Sequence, residues 1–120
     1  ATLNISAGTW YHVAITRSGN TINLYLDGNT TPYLTLNSSE VGSNTINNTE
    51  FKIGFGDQAA STRFFGGKID EVAIFDTALN AGQIYNDIYQ PTATGSNKTA
   101  DLENNPNLPT PVAWYRMGDN

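Results

Sequence analysis

Between Trp10 and Thr16 the chain reads WYHVAIT, and its apolar and β-branched residues follow the two-residue period of a strand. Tyr11, Val13 and Ile15 share one face; Trp10, His12 and Ala14 share the other. Ser18-Gly19-Asn20 is a turn signal, and Thr21–Leu26, TINLYL, alternates again with Ile22, Leu24 and Leu26 on one side. The two segments therefore predict a hairpin. Asp27-Gly28-Asn29 then turns the chain, because these residue types best tolerate positive φ. Further strands are predicted at Pro32–Leu36, at Phe51–Phe55 (FKIGF), and over Lys68–Phe75 at the end of FFGGKIDEVAIF. In that last strand Asp70, Val72 and Ile74 lie on one face, with Ile69, Glu71, Ala73 and Phe75 on the other. Ser38–Asn48 and Gly56–Arg63 carry no apolar period and read as loops.

The period changes once. Asn80 fits an N-cap with Gln83 at the capping-box position, and Leu79 is placed to staple onto Ile84. Ile84, Tyr85, Ile88 and Tyr89 form the apolar stripe of a short helix that Pro91 is expected to end. Residues 91–111 contain Gly, Ser, several Asn and several Pro and read as linker. The chain then presents one more aromatic strand, Val112–Met117 (VAWYRM), within residues 112–120.

Composition narrows the class. A chain of 120 residues normally forms one domain with one modest core. Its strand- and turn-forming composition favours an all-β fold. A formal net charge of −5 removes the attraction that brings proteins to phosphate backbones, so nucleic acid is not an expected partner. With no cysteine there are no disulfides, thiolate zinc sites or cysteine nucleophile. No apolar run approaches the roughly twenty residues of a membrane span, so membrane insertion is not expected either. Asn-x-Ser/Thr triplets at Asn4, Asn29, Asn37, Asn47 and Asn97 follow from the abundance of those residues.

GTWYHVAITRSGNTINLYLDGN, then FKIGFG, then FGGKIDEVAIFDTALNAGQIYNDIY together resemble the laminin-G-like jelly roll of the concanavalin A-like lectin and glucanase superfamily. The motifs that carry the likeness are Trp10, His12, Val13 and Ala14; Leu24, Tyr25, Asp27 and Gly28; and Gly66, Ile69, Asp70, Glu71, Val72, Leu79 and Ile84. The resemblance implies an antiparallel two-sheet jelly-roll sandwich with one short helix towards the C-terminal side. It also implies that residues 1–90 match the second half of such a sandwich. Val112–Met117 resembles the strand that opens a module of this family, which lies beside the closing strand, here Lys68–Phe75. Two arrangements follow: the strand begins another module, or it folds back and closes the same sandwich. AWYRMGD and the Asn- and Thr-rich loops are also similar to modules in structural proteins of marine bacteriophages.

Glucanases on this sandwich use carboxylates at alternate positions of one strand face, whereas Asp70 and Glu71 are adjacent and point apart. No enzyme activity is expected. His12, the only histidine, has no sequence cue for a nucleophile partner; it is expected to be hydrogen-bonded in or near the core, and the family motif carries it without a catalytic role. Calcium is the cofactor the resemblance allows, with Asp70 and Asp119 as the metal candidates and Asp57 and Asp76 as further donors. Tyr33, Phe55, Asp57 and Phe64, with amide side chains in Gly42–Asn48 or in the 56–63 loop, are the candidate ligand-binding residues. The resulting expectation is a non-catalytic binding or adhesion module recognising glycan or a cell-surface protein. The alternative is a structural module of a larger assembly, such as a phage capsid decoration or tail fibre, packing on copies of itself or on neighbouring particle proteins. Either role places it outside the cell, on a cell surface or on a virion surface.

Overall fold

The computed structural model describes residues 4–39, 51–58, 61–93 and 100–117. The predicted hairpin forms from β1 (Val13–Ser18) and β2 (Thr21–Leu26), and β3 (Leu34–Asn37) adds to the free side of β2 in an antiparallel sheet of order β1-β2-β3. Asp27 and Gly28 both take positive φ, 48° and 65°, as the Asp-Gly-Asn turn requires. Leu26 O accepts from Asn29 N at 3.1 Å, and Asp27 N donates to His12 O at 2.8 Å.

The stretch expected to be loop at 56–63 is instead a second hairpin, β4 (Phe55–Gln58) with β5 (Ser61–Phe64). Its turn chemistry is weak, and its ladder depends on cross-strand pairing that leaves no apolar period. The expected strand at Phe51–Phe55 enters the ladder only at Phe55, because Gly54 adopts a φ of 74° and breaks the extended run. Likewise the strand expected over Lys68–Phe75 shortens to β6 (Val72–Ile74), since Glu71 takes a left-handed φ of 51°.

The C-terminal aromatic strand is β7 (Ala113–Tyr115). It pairs antiparallel with β6 of the same chain, with Val72 opposite Tyr115, Ala73 opposite Trp114 and Ile74 opposite Ala113. Val112 N extends the ladder to Ile74 O at 2.8 Å.

The helical run comprises α1 (Ala81–Gln83), a π-helical segment (Ile84–Tyr89) and α2 (Gln90–Ala93). Its capping box is as predicted: Gln83 N donates to Asn80 Oδ1 at 2.9 Å, and Asn80 N donates to Gln83 Oε1 at 3.0 Å. Pro91 does not end the run, which continues to Ala93; the wider π turn ends at Tyr89, two residues before the proline that lacks an N–H. Tyr85, expected in the buried stripe, is exposed, whereas Ile84 is almost fully buried.

One core joins β1, β2, β6, β7 and the helical run. Tyr25, Leu79 and Ile84 are buried together with Ala100, Leu102 and Leu108, and Ala14, Ala73, Phe75, Ile88 and Trp114 pack against them. Part of the stretch that reads as linker thus supplies half of the buried cluster. It is held to the helix by side chains. Gln83 Nε2 donates to Asn107 O at 2.7 Å, and Asp87 Oδ1 accepts from Asn107 Nδ2 at 2.9 Å and Asn105 Nδ2 at 3.2 Å.

Candidate functional site

Two of the predicted ligand residues meet. In the β4–β5 ladder Phe55 stands opposite Phe64, with ring centroids 5.2 Å apart and a tilt of 46°. Cross-strand partners share a sheet face, and the pair meets by the period-two rule that shaped the hairpin. Phe65 N donates to Gly54 O at 2.8 Å, so the glycine's left-handed turn closes the base of the hairpin. Lys52 Nζ lies 5.0 Å from the Phe55 ring centroid. Phe64 is 75% exposed, a large apolar surface left to solvent. At the other end of the same segment, Phe51 stacks on Tyr115 of β7 at 6.2 Å with an interplanar angle of 16°. Phe51–Phe55 therefore carries an aromatic pair at each end, with Phe51, Tyr115 and Phe64 exposed and Phe55 half-buried. Asp57 pairs with Thr62 in the ladder.

Tyr33 lies elsewhere. It lines an open depression with Leu26, Asp27, Asn29, Thr31 and Pro32. The polar groups there serve the turn: Asp27 Oδ1 accepts from His12 N at 2.9 Å, and Asn29 Oδ1 accepts from Thr31 N at 3.0 Å. The Asn residues of 42–48 lie outside the described residues.

For metal binding, Asp70 is exposed and its Oδ1 accepts from Glu71 N at 2.9 Å. Asp76 Oδ1 accepts from Thr77 Oγ1 at 3.1 Å. Asp119 lies outside the described residues. Among the described residues no group of three His, Cys, Asp or Glu side chains gathers in a way that holds a metal ion.

His12 is half-buried against Tyr89, with ring centroids 5.8 Å apart. The expected side-chain hydrogen bond is missing at Nδ1, which is buried without a partner. Burial pushes the imidazole pKa below its usual value, and the Asp27 charge opposes that shift only in part.

A further cluster was not singled out from sequence. Trp114 Nε1 donates to Glu71 Oε2 at 2.7 Å, and Arg116 Nε approaches Glu71 Oε1 at 3.4 Å while its guanidinium lies 4.9 Å from the Trp114 ring centroid. The left-handed Glu71 backbone, reached by no regular strand, aims that carboxylate at β7. So engaged, the Glu71 carboxylate ties β7 to the residue that precedes β6.

Comparison with known proteins matches residues 1–85 to a laminin-G family model described as the concanavalin A-like lectin/glucanases superfamily. A crystal structure of an S-layer domain-containing protein (residues 221–444) from Clostridium thermocellum is similar, with 29% identity and a TM-score of 0.53. The likeness covers 71% of this chain and 42% of that one, so the chain spans less than half of that structure. No curated protein matches the sequence.

Proposed function

The chain belongs to the concanavalin A-like lectin/glucanase superfamily, and from that premise we propose a non-catalytic binding module of a surface-located protein, with glycan as its ligand class. The observation that carries this reading is the Phe55–Phe64 pair on β4–β5, half-buried at Phe55 and exposed at Phe64, with Lys52 over Phe55. Flat apolar rings left in water suit the C–H faces of sugar rings, and a nearby ammonium serves as a donor to hydroxyl groups. The engagement of Glu71 by Trp114 and Arg116 supports the non-catalytic part. The S-layer neighbour supports a location on an extracellular surface. A two-sheet jelly roll belongs to the same reading, supported by the family match and the antiparallel ladders.

The test is a glycan array on the folded protein beside Phe64→Ala. Binding should weaken about tenfold or more in the variant, a loss of roughly 1.4 kcal/mol. An array without hits on folded protein, or hits indifferent to Phe64→Ala, would sink the proposal.

A second reading, a structural module in a larger assembly, is favoured by the similarity to an S-layer domain-containing protein. Recovery of the protein within an ordered array or particle, with the β4–β5 hairpin protected from solvent by neighbours, would select it.

A further inference from the structure

The C-terminal half of the helical run rests on a seat made at the open end of the β1–β2 hairpin. Tyr89, the last residue of the π-helical segment, places its ring against His12, with centroids 5.8 Å apart and an interplanar angle of 54°. The same ring and its Cβ stand where a Cβ on Gly28 would stand, so the seat admits Tyr89 because residue 28 has no side chain. Behind it, Tyr85 stacks on Tyr89 at 6.3 Å. The start of the run is anchored separately, by the Asn80–Gln83 capping box and by Ile84 in the core. His12 Nδ1 is buried in the seat without a hydrogen-bond partner. The groups that face the ring are Asp27 from the turn and Tyr89 from the helical run. Asp27 Oδ1 is occupied by the His12 backbone N–H at 2.9 Å, and the run's own carboxylate, Asp87, accepts from Asn105 and Asn107. A neutral imidazole fits this setting with one nitrogen as acceptor. The imidazolium carries N–H donors on both nitrogens, and the one at Nδ1 would be buried with nothing to accept it.

We propose that acidification releases Tyr89 from this seat, so that the helical run opens from its C-terminal side while the hairpin and the capped start stay folded. The inference goes beyond the ligand reading and does not depend on it. Proton linkage sets its sign and size. The seated ring binds a proton less readily than a ring in water, because burial outweighs the Asp27 charge. The released form therefore takes up the proton first as pH falls below about 6.5, and its share rises by up to about tenfold per pH unit until the seated ring itself protonates. Release bares the Gly28 backbone between Asp27 and Asn29. Both of those residues line the open depression that holds Tyr33, so the vacated seat joins it.

His12 is the chain's only histidine, so an NMR titration follows its imidazole without ambiguity. The imidazole should titrate below its ordinary range, and the Tyr89 ring signals should move with the same midpoint. Amide exchange, corrected for its intrinsic pH dependence, reads the local opening. Gln90 N donates to Tyr85 O near the end of the run, and Ile84 N donates to Asn80 O at its start. Between pH 7.5 and 5.5 the protection of the Gln90 amide should fall at least about fivefold relative to the Ile84 amide and to the amides of β2. His12→Gln, neutral at every pH, should abolish that fall; where this variant does not fold, the ratio of the two amides in the parent decides the question. An imidazole that titrates at or above about pH 6.5 overturns the proposal, as does a Tyr89 ring that ignores the titration. A Gln90-to-Ile84 ratio that stays constant with pH also overturns it, by making any opening global.

Discussion

Replacing Glu71 tests how β7 is held. Its carboxylate accepts the Trp114 indole N–H at 2.7 Å, and a hydrogen bond to a charged group is worth about 1.5–3 kcal/mol. The Arg116 contact is longer, 3.4 Å, with the arginine side chain 42% exposed, so it adds roughly 0–1 kcal/mol. Against these gains stands the backbone: a φ of 51° costs a residue with a Cβ about 1–2 kcal/mol, and glycine almost nothing. Glu71→Ala removes the acceptor and keeps the strain, so it should lower stability by about 2 kcal/mol. Glu71→Gly removes both and should recover about half of that loss. With a urea slope of about 1.5 kcal/mol/M, the alanine variant's midpoint should fall by roughly 1.3 M and the glycine variant's by about half as much. Tryptophan fluorescence is the assay, because Trp10 is 63% exposed whereas Trp114 sits beside the change. An alanine variant within about 0.3 kcal/mol of the parent would refute the latch, and a glycine variant no more stable than alanine would refute the strain.

Because burial lowers the folded-state pKa of His12, the unfolded chain takes up the proton first as pH falls. The histidine's contribution is fully present above about pH 6.5 and declines below it until the folded-state pKa is reached; His12→Phe should flatten the stability profile in that window, and an unchanged slope in pH-dependent melts would contradict the assignment. Gly28→Ala should cost at least about 2 kcal/mol, since a Cβ at φ 65° would run into the Tyr89 ring; a thermal melt within a few degrees of the parent would contradict that packing. Asp87→Ala frees the Asn105 and Asn107 amides, so amide exchange across residues 100–108 should quicken about tenfold relative to β2, and uniform exchange would show that the segment does not depend on that carboxylate.

Where an element is specified by neighbours in sequence, it was legible from the residues alone. The β1–β2 hairpin follows from alternation around a turn signal, the Asp27-Gly28 turn from tolerance of positive φ, and the capping box from a donor and acceptor three residues apart. The laminin-G-like membership followed from motifs within those same segments. Of the ligand candidates, Phe55 and Phe64 meet because the β4–β5 ladder pairs them, although the residues between carried no strand pattern. Tyr33, placed by a different turn, stands apart from them in the depression beside Asp27.

Family membership, the β1–β2 hairpin and the helix start were readable from residues close together in the chain. That Trp114 of β7 meets Glu71, that Gln83 and Asp87 hold Asn107, and that Ala100, Leu102 and Leu108 are core emerged only with the folded chain. The reason is range. A period, a cap or a turn is set by dihedral preferences and bonds within a few residues, whereas these contacts join positions about twenty to forty apart, where closure entropy is offset only when the whole core assembles.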